Sequence, residues 1–586
     1  MRGRFFSEKL DVKIKGNNPI NTMNSSHGKE MTGGEILVQA LLDVGVDTIF
    51  GYPGGSVIDI YDVFYKTPQL RHILVRHEQG ATHAADGYAR VTGKAGVVMV
   101  TSGPGATNTV TGIATAYMDS IPLVVFTGQV PSTMIGNDAF QEADIIGITR
   151  PITKHSYLAK DATHLGQIIP EAFHIATTGR PGPVLIDLPK DVIKQKGYYK
   201  KPDEVYIRGY NPVYHGHIRQ IIKSAELINE SKRPLIYAGG GVISGNAAEE
   251  LKELALKGNI PVVTTLLGLG AFPEDNPLSL GMVGMHGTWY ANMAISECDL
   301  LIAVGARFDD RVTGKLGTFS PNSKKIHIDI DPSCIAKNVQ LDVPIVGHAK
   351  NILPKLTKLI KKPNTKDWLI QLNQWKKEHP LRYKSKSDKI VPQYVIEQVS
   401  AVTNRAAIVV TDVGQNQMWA AQFYKFSRPR SILSSGGLGT MGYGFPAAIG
   451  AAIGSPDRTV VCITGDGGFQ MNIQELSTAV QYKLPIKVIV LNNGYLGMVR
   501  QWQELFYEKR YSQTYIDEGN PDFLKLAEAF GAIGMRVFKP EDVRSTLEES
   551  MKVKDRPVVM EFIVDPYEKV FPMVPAGGSL TEMIEE

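Results

Sequence analysis

Short runs of β-branched and apolar residues alternate with longer stretches in which apolar positions recur every three or four residues. The alternation continues along almost the whole chain, which is the pattern of parallel α/β layers. Residues 31–190 form a first block, opening with a predicted helix over 34–44 and closing with a strand over 183–188. The polar, Tyr-rich stretch 194–214 reads as a linker. A second block runs from His217 to Ile360, with strands at 234–238, 300–304 and 326–330. The Lys- and Asn-rich stretch 361–389 reads as a second linker carrying a short helix, and a third block covers 391–564. The expected fold is therefore three doubly wound parallel-sheet domains over 31–193, 215–360 and 390–565. An N-terminal arm (1–30) precedes them and a C-terminal tail (566–586) follows.

Composition narrows the function classes. A length of 586 residues, 43% of them hydrophobic and 21% charged, suits large buried cores. The net charge of +4 is spread without a basic block, which argues against a nucleic-acid partner. Three scattered cysteines, Cys298, Cys334 and Cys462, exclude a disulfide framework or a Cys-rich zinc site and fit a reducing compartment. The longest charge-free stretch, between Arg430 and Asp457, holds seven glycines and Pro446, so it is no membrane span. The first 30 residues lack the apolar core of a secretory signal, and a soluble intracellular protein is expected.

The outer blocks share a plan. In the first, the run 97–101 leads into Ser102-Gly103-Pro104-Gly105, a helix, Ile121-Pro122 and the run 123–126. In the third, 460–464 leads into Gly465-Asp466-Gly467-Gly468, a helix, Leu484-Pro485 and the run 486–491. Loop glycine to proline spans 19 residues in one copy (103 to 122) and 20 in the other (465 to 485). Two related sheets flanking a different middle domain are expected. In the third block, 24 residues separate Gly465-Asp466-Gly467 from Asn492-Asn493. Crossover topology puts Asp466 and Asn493 at the carboxyl edge of one parallel sheet, where α/β proteins bind ligands. A carboxylate and an amide oxygen there are hard ligands for Mg²⁺, with phosphate oxygens to complete the shell. The helix beginning beside the loop offers free N–H groups to an anion.

With these residues the chain resembles the thiamine-diphosphate enzyme superfamily, whose metal motif pairs Gly-Asp-Gly with Asn-Asn at this spacing. The resemblance implies that the third domain binds the diphosphate and Mg²⁺ through Gly465, Asp466, Gly467, Gly468, Asn493 and Tyr495, the metal being held by Asp466, Asn493 and Tyr495. The first domain, with no acidic residue in its matching loop, would bind the aminopyrimidine. Its carboxylate is Glu78, in Arg76-His77-Glu78-Gln79-Gly80-Ala81, with Gly51-Tyr52-Pro53-Gly54-Gly55 upstream contributing Pro53. A carboxyl group paired with pyrimidine N1′ favours the imino tautomer that removes the thiazolium C2 proton. In the superfamily this Glu reaches the cofactor from the opposite subunit, implying at least a dimer. Met441, in Gly437-Leu438-Gly439-Thr440-Met441-Gly442, matches the apolar prop that bends the cofactor, with Gly439 beside it. Gln415 and Asn416 begin the first βα loop of the third block and suit diphosphate contacts, Asn416 standing where a His is often found.

Within the superfamily, residues 31–580 resemble the acetohydroxyacid (acetolactate) synthase catalytic subunit. The specific pieces are Gly136 to Glu142 (GNDAFQE), Ile152 to His155 (ITKH), Gly284-Met285-His286-Gly287, Arg307 to Gly314 (RFDDRVTG) and Met498-Val499-Arg500-Gln501-Trp502. The resemblance implies that pyruvate is decarboxylated on the cofactor and the hydroxyethyl carbanion joined to pyruvate or 2-ketobutyrate. The products are 2-acetolactate and 2-aceto-2-hydroxybutyrate, precursors of valine, leucine and isoleucine. A cation and an apolar wall must then hold an anionic acceptor while excluding protons. Arg311 is the expected carboxylate ligand and Trp502 the residue favouring the extra methyl of 2-ketobutyrate. Gln141, Phe140 and Lys190 are further pocket residues, and Arg500 departs from the Met often found there. The middle block carries Gly239-Gly240-Gly241 after a strand, and the family binds FAD there. Arg180, His286, Arg307, Asp309, Arg311 and Asp329 match its FAD contacts, so an FAD-binding middle domain is expected. The family is a homodimer or tetramer, usually with a separate small regulatory subunit, and a plastid stroma or a bacterial cytoplasm would suit it.

Other readings stay open. A flavin-linked pyruvate oxidase or another thiamine-dependent decarboxylase is the runner-up, although the His-His pair of simple pyruvate decarboxylases is missing. A regulatory homologue without turnover finds no support, because Glu78, Asp466 and Asn493 are all present.

Overall fold

The computed structural model describes residues 29–585. The chain folds into three units, each built on a six-stranded sheet whose strands all run parallel. In the first unit the strands lie across the sheet as Arg71–Leu74, Thr48–Tyr52, Gly96–Val100, Leu123–Gln129, Pro183–Pro189 and His155–Leu158. The third unit places Ile432–Leu433, Ile408–Thr411, Val460–Gly465, Lys487–Asn492, Val558–Ile563 and Ile533–Val537 in the matching positions. Counted from each unit's own start, both orders read 2-1-3-4-6-5. The duplication expected from loop spacing is therefore present in the topology itself. The middle unit differs, with the order 3-2-1-4-5-6 over Ser279–Met282, Val262–Thr264, Pro234–Ala238, Leu300–Val304, Lys324–Asp329 and Val343–Val346.

Central strands such as Gly96–Val100, Pro183–Pro189 and Leu300–Val304 are buried at every position, because helices cover both faces of a parallel sheet. This is why they read as unbroken apolar runs. The outer units share one continuous apolar core. Its centre is the crossing of helices Glu78–Thr92 and Gly444–Gly454, where a Cβ on Gly450 would lie 1.7 Å from the Ala84 carbonyl oxygen. From the other side, a Cβ on Gly87 would lie 2.1 Å from the Ala447 carbonyl oxygen. Backbone meets backbone at this crossing. Beside it a buried ionic cluster joins the units: Arg90 pairs with Asp86 at 2.6 Å and Asp119 at 2.7 Å, and the Tyr443 hydroxyl donates to Asp86 at 2.7 Å.

The connecting segments hold ordered structure, including the short helix expected in the second linker. Of the N-terminal arm only Lys29 and Glu30 fall among the described residues, in strand Lys29–Thr32. That strand pairs antiparallel with Lys196–Tyr199, so the first linker begins as structure. Within the second linker, helix Lys366–Glu378 buries Trp368 and Leu372, and the Trp368 indole donates to the Pro234 carbonyl at 3.2 Å. The tail is a strap and not a free end. Val570, Met573, Val574 and Leu580 are buried, and Val574 N donates to Met285 O on the middle unit at 2.8 Å. Among the described residues no helix is long and apolar enough to cross a membrane.

Overpacking a tight contact costs about 1–3 kcal/mol, and more where backbone cannot move. Gly450→Val is therefore expected to separate the outer units, with earlier thermal unfolding and faster proteolysis between them. The same change at exposed Gly55, where a Cβ meets nothing within 4 Å, is expected to leave both readouts unchanged.

Candidate active site

Asp466 and Asn493 stand side by side because their strands do. Val460–Gly465 pairs with Lys487–Asn492 in the register Gly465↔Leu491, so Asp466 and Asn493 emerge together at the carboxyl edge. Asp466 is buried and accepts a hydrogen bond from Asn520 Nδ2 at 2.8 Å. Asn493 Oδ1 accepts from Tyr495 N at 3.1 Å, while its Nδ2 donates to Gln415 Oε1 at 3.2 Å. Gly467 leaves a space that a Cβ would fill, 3.0 Å from Leu496 Cδ2 and 3.9 Å from Met441 Cε. Met441 thus lies next to the Gly465–Gly468 loop although it stands 25 positions before Asp466 in sequence.

Gln415 and Asn416 turn inward. The Gln415 amide donates to Gln501 Oε1 at 2.9 Å and Glu568 O at 3.0 Å, and the Asn416 amide donates to Asp412 O and Ile463 O, both at 3.1 Å. Their side-chain hydrogens are committed to the protein's own carbonyls. Asp412, which the sequence reading missed, does more. Its buried carboxylate accepts from the backbone N–H of Val413, Gly442 and Gly444, fixing the turn that carries Met441. An acidic residue at a strand's carboxyl end was the available signal. Asp119 was missed as well: from the first unit it accepts from Gly436 N at 3.1 Å and Gly437 N at 2.7 Å, at the other end of the same turn.

A cavity of about 1400 Å³ opens between the three units. Gly439, Met441 and Trp502 line its third-unit wall, Arg180 its first-unit wall, and Gly239–Gly241, His286, Arg307, Asp309, Arg311 and Asp329 the middle-unit wall. Trp502 reaches it from helix Gly497–Phe506 with Met498 and Val499, while Arg500 and Gln501 face inward and are buried. The Arg311 side chain is 60% exposed and its nearest carboxylate, Asp310, is 4.0 Å away. Asp309 caps the helix Asp310–Thr313 by accepting from Arg311 N at 3.0 Å. Arg180 is held by Ser120 at 2.8 Å and Asp331 at 3.2 Å. Burial lowers the His286 imidazole to about 4, so it is neutral near pH 7.

The remaining predicted residues form a separate cluster on the first unit. Glu78 opens helix Glu78–Thr92 and accepts from Asn108 Nδ2 at 2.9 Å. A Cβ on Gly105 would lie 3.4 Å from Glu78 Oε1, and one on Gly103 would lie 2.8 Å from the Gln141 carbonyl oxygen. Lys190 Nζ donates to Gly55 O at 2.9 Å, near the exposed Pro53, and Phe140 is 87% exposed. None of these residues lines the large cavity.

Family models match stretches of all three units. Residues 31–148 match the N-terminal TPP binding domain of thiamine pyrophosphate enzymes, 221–356 their central domain, and 412–562 their C-terminal TPP binding domain. The acetolactate synthase large subunit of Haemophilus influenzae is 50% identical over 564 residues, 95% of this chain and 98% of that protein. The isozyme 3 large subunit of Escherichia coli is 49% identical over 94% of this chain and 98% of its own length. An acetolactate synthase of Mycobacterium bovis is 51% identical over 95% of this chain and 91% of its own. The chain belongs to the acetolactate synthase large-subunit family.

One expectation is overturned. The middle unit is the central domain of thiamine pyrophosphate enzymes and not an FAD-binding fold. The glycine run that suggested a dinucleotide cradle is already used. Gly239 N donates to Val304 O at 2.9 Å and Gly241 N to Gly305 O at 3.0 Å, and a Cβ on Gly239 would lie 2.2 Å from Gly305 O. These glycines let two backbone segments touch, and the helix that Gly240 opens, Gly240–Ser244, is barely more than one turn. In this acetolactate synthase relative, the FAD-fold expectation came from the family resemblance and the Gly-rich turn, and that turn serves backbone packing.

Burial pushes the Asp466 carboxyl up to about 6, against the pull of Asn520 and nearby amides, from an ordinary 3.8. The folded state then binds this proton more tightly than the unfolded chain, so stability falls as pH rises through that interval. The penalty is absent below about pH 4 and complete above about pH 6. Asp466→Asn is expected to stabilise the cofactor-free protein above pH 7 by on the order of 2–3 kcal/mol. Urea unfolding should show the advantage vanish near pH 4.

Proposed function

We propose that this chain is the catalytic subunit of an acetolactate synthase. It decarboxylates pyruvate with thiamine diphosphate and joins the retained two-carbon unit to a second 2-ketoacid. Pyruvate as acceptor yields 2-acetolactate, and 2-ketobutyrate yields 2-aceto-2-hydroxybutyrate. The observation that carries the reading is the meeting of Asp466, Asn493 and Met441 at one sheet edge, in a chain half identical to acetolactate synthases along nearly its whole length.

Bound thiamine diphosphate supplies an acidic thiazolium C–H and an electron sink. The donor set fits its Mg²⁺ diphosphate. Among the described residues no group of three His, Cys, Asp or Glu side chains is placed to hold a metal ion; a single carboxylate, Asp466, with the Asn493 amide oxygen beside it would suit a cation that keeps phosphate oxygens as ligands. Tyr495 adjoins Asn493, and Gly465 and Gly467 leave room for the diphosphate, whereas Gly468 lets the backbone pack on the Asp412 carboxylate, whose oxygen lies 2.5 Å from where a Cβ would stand. The turn at Gln415 and Asn416 offers backbone groups, since its side chains point inward.

Glu78 would hold a proton at pyrimidine N1′. It stands away from the cavity that Met441 and Trp502 line, so a second copy supplies it, together with Gln141, Phe140 and Lys190. The exposed apolar side chains of the first unit support a homodimer or tetramer: Phe140 is 87% exposed, Ile58 61% and Met134 44%. Arg311 would bind the acceptor carboxylate, being a largely exposed cation at the cavity wall that touches Asp310 only at 4.0 Å. Trp502 would select the acceptor by shape. A cavity of about 1400 Å³ exceeds the roughly 300–1,000 Å³ typical of one small ligand. We assign the surplus space, between Arg180, His286, Arg307, Asp309 and Asp329, to FAD in a structural role. FAD would sit in the cleft between units and not in a cradle of the middle fold. The relatives are named as large subunits, and a small regulatory partner is proposed accordingly.

Two measurements test this reading. With pyruvate and 2-ketobutyrate supplied together, wild type is expected to favour 2-aceto-2-hydroxybutyrate. Trp502→Leu should erase that preference, a change of about 1–3 kcal/mol per methylene. Acetaldehyde, or acetyl phosphate with peroxide, in place of hydroxyacids would mean a decarboxylase or oxidase instead. By calorimetry, Asp466→Asn should weaken Mg²⁺-dependent thiamine diphosphate binding by at least about 100-fold.

A further inference from the structure

The loop that presents Glu78 is held largely by the third unit. Leu74 N donates to the Tyr482 hydroxyl at 2.8 Å, that hydroxyl donates to His72 O at 3.2 Å, and the Arg76 guanidinium reaches Gln481 Oε1 at 2.7 Å. At the centre of this clamp is Glu475. Its Oε1 accepts both backbone N–H groups just ahead of Glu78, from Arg76 at 2.9 Å and from His77 at 3.0 Å. Its Oε2 is oriented by the Thr478 hydroxyl at 2.6 Å. Glu475 is wholly buried, and a Cβ on Gly80 would lie 2.5 Å from its Oε1. The carboxylate thus fills the gap between the metal-loop segment of one unit and the first turn of the Glu78 helix in another.

We infer that Glu475 is a positioning residue for Glu78, setting the carboxylate's place through the two amides that precede it. The inference rests on the reading that Glu78 serves thiamine diphosphate bound to the partner copy. Glu475 then acts on the active site across the subunit boundary, not on the Asp466 site nine residues before it in its own chain. A Gln side chain keeps the oxygen that accepts both amides, whereas Ala leaves two buried donors without a partner.

The test reads exchange of the thiazolium C2 proton for deuterium in bound cofactor, beside cofactor affinity. Glu475→Ala is expected to slow exchange by at least about tenfold with affinity changed less than about threefold, and Glu475→Gln to stay within about threefold on both. Gly80→Ala, which crowds the same oxygen from the other side, should slow exchange likewise and covers the case in which Glu475→Ala does not fold. Wild-type exchange in the variant read, or equal slowing in Glu475→Gln and Glu475→Ala, overturns the inference. Mixed dimers locate the effect. A Glu475→Ala chain paired with an Asp466→Asn chain keeps one site with intact Asp466 and a correctly held Glu78, so about half of wild-type turnover is expected. Turnover as low as the Glu475→Ala homodimer overturns action across the boundary. The control pairs Glu78→Gln with Asp466→Asn. Activity there supports the shared site, whereas inactivity removes that reading and leaves the exchange rates to judge Glu475.

Discussion

Everything in this molecule hangs on the crossing of helices Glu78–Thr92 and Gly444–Gly454. Two helices can approach backbone to backbone only where side chains are absent, and Gly87 and Gly450 supply those gaps. The crossing brings Asp119 from the first unit onto the backbone amides of Gly436 and Gly437 in the third. Asp412 holds the other end of that turn. The position of Met441 therefore depends on the packing of two units as much as on its own loop. Arg90 offsets the negative charge of Asp86 and Asp119, a cluster that would be costly if any member lost its partner.

The duplicated sheets carry different side chains on the same topology. Both present a βα loop after their third strand, at the carboxyl edge where strand dipoles and free amides favour ligands. One loop carries Asp466, which burial alone would keep partly protonated near neutrality. The other carries Gly103 and Gly105, which let Gln141 and Glu78 approach. A buried carboxylate without a cation is a penalty to the free protein, and a bound cation removes it. Site and stability are linked through that one group.

Much of the architecture was legible in the chain. Strands 234–238 and 300–304 appear where the apolar runs put them, because strands buried on both faces leave no ambiguity of period. Asp466 and Asn493 were legible together, since parallel crossover topology leaves their strands adjacent. The connecting segments were less so. Strand Lys196–Tyr199 forms only by pairing with Lys29–Thr32, far away in sequence. The tail after residue 565 is ordered by partners far away in sequence, among them Gln501, whose side chain bonds Val570 in both directions, Gln415, Gln422 and Met285. Glycines 239 to 241 read as a phosphate loop because composition cannot tell a free amide from one already bonded.

The sequence by itself determined the three parallel α/β units, the duplication of the outer two, the spacing of Asp466 and Asn493, and the family to which the chain belongs, though not the kind of fold in the middle unit. These are local or periodic features, written within one βαβ unit at a time. Tertiary structure alone decided that Asp412, Asp119 and Glu475 hold the functional loops, that Gln415 and Asn416 face inward, and that Glu78 lies apart from the cavity lined by Trp502. Each is a carboxylate, amide or loop whose partner lies in another element or another unit. A side chain's role there depends on which backbone groups packing has left unsatisfied, and no stretch of sequence records that.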